Sequence, residues 1–355
     1  MPETPDYPHD PAQEVVVPAA GLRELLTKLL VKKGMFAVEA QIAAARLVEA
    51  DLRGIQSHGC RMVPRYLKAM DEGHIDPRGQ ILKLTVTPAM GVLDGGRALG
   101  HVAATKAMLM AIEMARNVGT GTVAVKNSQH FGAASVYALM AVQAGMIGFC
   151  TTSTAHATVA AYGSLVPGTA NNAQAWGAPV RNGPPFVLDM AVAVSSWGKV
   201  QAEKFYGGVI PGGWALDELG QPTTNPAHAK TLLPAAGARG FGLAILSSIL
   251  AGPLVGGKMP IHKTRGVEAE GSEHFFYVID ISKFTDIDAY YTEMDQSLAD
   301  IRALPPAPGF DKVRIPGELE AERFTQWSET GIPLHRGPLQ ELSELAAKYK
   351  FTVPW

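Results

Sequence analysis

Cysteine is almost missing from this chain of 355 residues, with only Cys60 and Cys150 present. Two isolated thiols build neither a disulfide framework nor a thiolate zinc site, which points to a reducing compartment. Charge is also scarce, at 18% of residues with a formal net charge of −2. No surplus of Lys and Arg is available to displace counterions from a phosphate backbone, so nucleic acid is not an expected partner. Apolar runs are broken by Gly, Asn or Pro before they reach membrane-spanning length. The opening MPETPDYPHDP has no basic n-region or apolar h-region. The expectation is a soluble, cytoplasmic protein with no membrane partner.

Common site motifs are missing too. No GxGxxG joins a strand to a helix with an acid about twenty residues on. Gly119-Thr120-Gly121-Thr122 follows a helix, and Val255-Gly256-Gly257-Lys258 lacks both the upstream glycine and the following hydroxyl of a Walker loop. HExxH and GxSxG are absent, and the ten histidines do not cluster with acids at metal-ligand spacing, so no metal is expected. Cys60 has no basic partner that the sequence can assign, which makes it a poor nucleophile.

What is present is a large apolar fraction, 47%, enough for a big core and by size for two domains. Some of that excess is available for a subunit interface. Residues 1–16 read as a loose tail. Leucines three and four apart predict a helix over Ala19–Lys32, ended by Gly34. Further helices are expected over Val38–Asp51, Pro64–Glu72, Leu99–Arg116, Ala134–Ala144, Tyr290–Ile301 and Pro338–Tyr349, with an apolar helix inside Leu232–Leu250. Strands are expected at Ile81–Val86, Val92–Asp94, Gly121–Val125, Met146–Thr151, Phe186–Asp189 and Phe275–Ile281.

Two polar islands interrupt this pattern: Ser57-His58-Gly59, followed by Arg61, Arg65 and Tyr66, and Asn127-Ser128-Gln129-His130-Phe131-Gly132. Each sets an imidazole beside small residues where regular structure ends, a place where side chains meet ligands. For either histidine alone the plainer reading is a capping or core group satisfied by a carbonyl, and two such islands in one chain weaken it. Imidazole has its reference pKa near neutrality and can exchange a proton with a carbonyl/alcohol pair. A guanidinium fork suits a carboxylate. Arg61 and Arg65, four apart, can share one helical side, or form an exposed basic patch. Chemistry alone therefore points to a metal-free dehydrogenase or a lyase acting on a small carboxylate.

The islands also carry a resemblance. SHGCRMVPRY at 57–66, NSQHFG at 127–132, GFCTTST at 148–154, GT at 168–169 and LDMAVA at 188–193 stand in order along the chain. LPAAGARGFGL at 233–243, HFFYVIDISKF at 274–284 and RIPGE at 314–318 follow. Together they resemble the malate/L-lactate dehydrogenase family that lacks the usual dinucleotide fold. That family also holds ureidoglycolate, sulfolactate and diketogulonate dehydrogenases and an imino-acid reductase. The resemblance implies an α/β (α+β) non-Rossmann fold: a cofactor domain with a central mixed sheet over 81–284, and a helical domain from both chain ends, 17–80 and 285–355. It implies a homodimer with the active site near the interface. It makes His130 the preferred general acid/base, with His58 as the other candidate, and puts Ser57, Arg61, Arg65 and Tyr66 on the substrate. NAD, with NADP not excluded, would meet His58, Thr152, Ser153, Leu188, Asp189, Met190, Ala191, Ala193, Arg239, Gly317 and Glu318.

Departures from the family pattern bear on the substrate. The arginine usual five residues after the serine of SHG is Met62 here, which leaves Arg61 as the expected carboxylate anchor and Arg65 next. Gly168-Thr169-Ala170-Asn171-Asn172 replaces GTNP, Arg239 replaces a lysine, and Ala193 a serine. The leading expectation is hydride transfer between nicotinamide and C2 of a small 2-hydroxy/2-oxo acid. A cyclic imino-acid reductase is the alternative on the same scaffold, and a catalytically silent binding protein the alternative of another class.

Overall fold

The structure, a computed structural model, describes residues 7–153 and 156–355. Helix Ala19–Lys32 buries Leu22, Leu25, Leu26, Leu29 and Leu30, the stripe its leucine spacing dictates. It packs against helix Ala37–Leu52, whose Ala40, Ala43, Ala44 and Leu47 make a close-fitting small-residue face. Helix Val63–Asp71 joins them, and the chain's other end closes the same core through Trp327, Ile332, Leu334, Leu339 and Leu342. The expected tail is corrected at its end. Glu14–Val17 is a strand paired antiparallel with Ile332–His335, Val17 opposite Ile332. Its Val-Val-Val run favours an extended chain, and Val17 is fully buried. Tyr7 is buried as well, and residues 1–6 of the expected tail lie outside the described residues.

A mixed seven-stranded sheet forms the second layer, in the order Leu82–Val86, Met90–Asp94, Thr120–Ser128, Ser272–Ile279, Ile147–Ser153, Ala173–Ala178, Phe186–Ala191. Met90–Asp94 and Thr120–Ser128 run parallel, and the other neighbours antiparallel. Ser272–Ile279 inserts between two strands far upstream and locks them together. Helices Gly100–Val118 and Ser135–Gln143 pack on the sheet through Ala103, Ala107, Met108, Ala111, Tyr137 and Ala138. Strand Thr120–Ser128 runs three residues past its expected end and delivers the chain directly to the second island.

The sequence reading missed several elements. A five-stranded sheet of two- and three-residue strands is built around Val159, Trp214, Ala215 and Leu232. Segments that short carry no period to read. Helices Trp197–Tyr206 and Glu318–Thr330 were not expected either. Helix Ala238–Leu250 and the turn after it, to Val255, make one stretch long and apolar enough to cross a membrane by length alone. It packs on the folded chain and leaves Leu243, Leu246, Ile249 and Leu254 exposed.

Candidate active site

After helix Ala37–Leu52 the chain turns through Gly54 (φ +77°) into two tight 3-10 turns, Gln56–His58 and Cys60–Met62. A buried carboxyl fixes this turn: Asp51 Oδ2 accepts the Cys60 N–H at 2.8 Å. Gly59 is obligatory, because a Cβ there would lie 1.7 Å from Asp51 Oδ1. Burial pushes the Asp51 pKa up to about 7, against the pull of the Cys60 hydrogen bonds. Ser57 Oγ and His58 Nδ1 are 2.8 Å apart.

The structure brings the two islands together. His130, just past strand Thr120–Ser128, lies with its ring centroid 5.5 Å from that of His58, the planes 27° apart. Its Nδ1 is 2.7 Å from the hydroxyl of Tyr66, a fully buried residue of helix Val63–Asp71 whose pKa burial raises. Behind Tyr66, edge-on at 5.5 Å, is His101, 1% exposed, neither of whose ring nitrogens has a hydrogen-bond partner among the described residues. Beneath His130 the buried His274 bridges Thr152 Oγ1 (2.9 Å) and Ser128 Oγ (3.1 Å) and stacks on Phe131.

Burial, aided by Arg61 and Arg65, lowers the His58 pKa to about 4. Burial, with His58 and then Arg65, holds His130 well below the ordinary imidazole value. Burial likewise lowers His101 and His274 to about 3. The near-neutral ionisation on which the sequence argument relied is therefore corrected: in the free protein these rings are neutral at pH 7. His58 and His130 each keep an edge open to a cavity.

That cavity is about 640 Å³. Ser57, His58, Met62, Arg65, His130 and Thr152 line it, together with Asp189, Met190, Ala191 and Ala193. A second cavity of about 290 Å³, with Leu188, Asp189, Arg314 and Gly317 in its walls, shares Arg53, Asp189 and Glu320 with the first. Asp189 faces both cavities yet is surrounded by protein, which raises its pKa, and its Oδ2 accepts the Ser135 N–H at 2.8 Å. Gly317 (φ +96°) lets the Pro316–Gly317 turn lie on strand Phe186–Ala191; a Cβ there would be 2.8 Å from Val187 Cβ.

Other expected site residues are placed elsewhere. Arg61 lines neither cavity. Its turn faces helix Trp197–Tyr206, where it donates to Gln201 Oε1 (2.9 Å) and Tyr7 OH (3.1 Å) and lies 5.1 Å above the Phe205 ring. Arg65 does reach the larger cavity, paired with Glu268. Tyr66 stands one layer back and meets the cavity only through His130. Ser153 is buried and its carbonyl accepts from Lys263 Nζ at 3.2 Å. Glu318 is also buried, accepting from Arg302 (2.5 Å) and the Ile315 N–H (2.9 Å), and so braces the turn that carries Gly317. Arg239 is exposed in the first turn of helix Ala238–Leu250, away from both cavities.

Residues that the sequence reading passed over also line the larger cavity. Asn171 Oδ1 accepts the Ala193 N–H and its Nδ2 donates to Ser195 O, both at 2.8 Å, which fixes the end of the LDMAVA stretch. Trp197, Lys199 and Gln201 come from one unexpected helix, Glu320 and Arg323 from the other. A signal was available for the first. Ser196 is a serine N-cap whose Oγ accepts the Lys199 N–H at 3.1 Å. Among the described residues no group of His, Cys, Asp and Glu side chains could hold a metal ion.

The family model described as malate/L-lactate dehydrogenase matches residues 17–343. The malate dehydrogenase of Pyrococcus abyssi is 35% identical, over 94% of this chain and 95% of that protein. The NAD(+) ureidoglycolate dehydrogenase of Escherichia coli O157:H7 is 31% identical, over 88% and 90%. The solved malate dehydrogenase of Pyrococcus horikoshii OT3 superposes with a TM-score of 0.89 at 30% identity, covering 98% of this chain and 99% of that one. The delta1-piperideine-2-carboxylate reductase of Pseudomonas syringae superposes with a TM-score of 0.82 at 25% identity, covering 94% and 100%.

Proposed function

The chain belongs to the malate/L-lactate dehydrogenase family, and from that premise we propose that it is an NAD(P)-dependent oxidoreductase interconverting a small 2-hydroxy acid and its 2-oxo acid. The observation that carries this reading is the His130–Tyr66 pair beside His58 on the wall of a cavity large enough for substrate and nicotinamide. The two adjoining cavities fit a two-ended dinucleotide. Gly317 and the Asp189–Ala191 strand allow close backbone approach, and Thr152, Asp189 and Glu320 offer polar partners. When bound, the nicotinamide supplies or receives the hydride at its C4.

The chain's own part is to manage the proton. With Nδ1 held by Tyr66, His130 has Nε2 left for the substrate oxygen. In oxidation the neutral ring takes the alcohol proton at Nε2 while Nδ1–H donates to the Tyr66 oxygen. The reverse proton transfer completes reduction. Ser57 fixes the ring of His58, which orients substrate against its neighbour. NAD is favoured over NADP. Asp189 and Glu320 stand where the cavities meet, while Arg314 is committed to Asp311 (2.6 Å) and Arg53 to Glu49 (3.4 Å). The exposed Leu243, Leu246 and Ile249 of one helix support the homodimer.

Met62 at the cavity favours a second reading. An apolar thioether where family members carry an arginine suits a cyclic imino acid, and a reductase of that kind is among the structural relatives. Incubating the protein with NADH or NADPH and a panel of 2-oxo acids and cyclic imines, followed by cofactor absorbance, separates the two. His130→Asn should lower turnover on the active substrate by roughly 10²- to 10⁴-fold without loss of cofactor binding. Should His58→Asn do this while His130→Asn changes turnover less than about fivefold, the two roles must be exchanged. No turnover with any compound sinks the reaction, and tenfold better efficiency with NADPH sinks the NAD preference.

A further inference from the structure

A 2-oxo acid carries its carboxylate on the carbon next to the one that reacts, so its anchor has to stand close to the proton carrier. Met62 brings no charge there, Arg61 is not itself in the lining and is held by Gln201 and Tyr7, which are, and Arg65 is paired with Glu268. The start of helix Trp197–Tyr206 also lines the cavity. Ser196 caps it, and Trp197, Gly198 and Lys199 of its first turn line the cavity. The opening N–H groups of a helix have no intrahelical acceptor, and the helix dipole makes that end attractive to anions.

A second observation points to a ligand at this end. Ser195 lines the cavity at 6% exposure, and among the described residues its Oγ has no hydrogen-bond partner; Trp197 Nε1 is a buried donor in the same condition. Groups of this kind are costly to leave unpaired unless something arrives to meet them. The helix start is also pressed onto the first island, since a Cβ on Gly198 would lie 2.3 Å from Ser57 Cβ. The first turn of the helix therefore stands beside the Ser57–His58 pair.

We propose that Ser195, Lys199 and the first turn of helix Trp197–Tyr206 form the subsite for the substrate carboxylate, in place of the arginine absent at position 62. The assignment rests on the proposed reaction, and its chemistry, an oxyanion on a helix start with a lysine, is shared by one other source, the cofactor diphosphate. Two binding measurements separate them: oxamate, a non-reducible 2-oxo acid analogue, titrated into the protein–NADH complex, and NADH titrated alone by fluorescence. Lys199→Met should weaken oxamate binding and raise the substrate KM by roughly 30- to 150-fold, with the NADH Kd unchanged within threefold. Ser195→Ala should cost roughly fivefold, and Lys199→Arg should restore most of the affinity.

An oxamate Kd within threefold of wild type in Lys199→Met overturns the subsite. So does a comparable rise in the NADH Kd instead, which would give this anion site to the diphosphate. If the wild-type protein turns over no compound of the panel, the proposed reaction fails by itself. Oxamate protection against thermal unfolding, present in wild type and lost in Lys199→Met, then still decides the subsite, and its absence from wild type overturns it.

Discussion

Replacing Tyr66 with phenylalanine isolates one hydrogen bond of the site. The hydroxyl stands 2.7 Å from His130 Nδ1, and the ring is fully buried edge-on to His101. Phenylalanine keeps the ring, so packing should survive and stability should fall by only about 1 kcal/mol, the net worth of a neutral bond. Catalysis should suffer as well. As His130 takes the alcohol proton its ring becomes cationic, and a hydrogen bond to a charged group is worth about 1.5–3 kcal/mol. About 1 kcal/mol of this is already present with the neutral ring, so the remaining ~0.5–2 kcal/mol, on the order of a 2- to 30-fold effect, should appear in the turnover number, with substrate KM and NADH Kd little changed. Because Tyr66 acts through His130, adding Tyr66→Phe to His130→Asn should cost no more than about twofold further. Steady-state kinetics on the four proteins of this cycle provide the measurement. A turnover equal to wild type in Tyr66→Phe, or full additivity in the double variant, would refute the coupling.

Arg61→Ala should leave the substrate KM within about threefold and cost about 1 kcal/mol of stability from the lost contact over Phe205. A thirtyfold rise in KM would return Arg61 to the substrate. Gly317→Ala combines a φ of +96° with a Cβ 2.8 Å from Val187 Cβ. That strain, about 1–3 kcal/mol, should displace the turn and weaken NADH binding by roughly tenfold, and a Kd within twofold by fluorescence would remove this turn from the cofactor site. His101 has a folded pKa of about 3, against an unfolded value near 6.5, so its stability contribution is present above pH 6.5 and is lost as pH falls. His101→Leu should therefore retain roughly 2 kcal/mol that wild type loses between pH 6.5 and 5, measured by urea unfolding; equal losses in both proteins would show that the ring is not buried neutral.

The legible parts of this fold were those with a period or a stop. Helix Ala19–Lys32 was readable to the residue, since its leucines and Gly34 mark stripe and end. Six strands of the large sheet were readable to within a few residues, though Ala173–Ala178 between two of them was missed, and both islands were found because an imidazole among small residues stands out against apolar neighbours. What could not be read was direction. Arg61 and Arg65 sit four apart and looked equivalent. The 3-10 turn Cys60–Met62 breaks helical phase between them, so that Arg65 reaches the cavity lining while Arg61 stands behind it, held by Gln201. Helix Trp197–Tyr206 stayed hidden because it buries only Val200 and Ala202 and so has almost no apolar stripe. The residues it brings to the cavity were lost with it.

The neutral histidines make the two directions of the reaction unequal. Neutral His130 can accept the alcohol proton, but reduction needs an imidazolium, and burial, His58 and Arg65 oppose that charge in the free protein. A carboxylate entering the cavity changes the balance. One unit of charge at 4 Å with an effective dielectric of 20 is worth about 4 kcal/mol, or about three pKa units. Binding of the oxo acid would thereby charge the acid that must protonate it, whereas the hydroxy acid must meet a ring still able to accept. The free protein's oxidation rate, as kcat/KM, should then stay flat as pH falls through 6.5 and decline only below it. Oxamate binding to the NADH complex near pH 6 should take up roughly one proton per site, read calorimetrically in two buffers of different ionisation enthalpy. Binding without proton uptake would mean that neither His58 nor His130 is charged by the substrate, and the proton for reduction would have to come from another group.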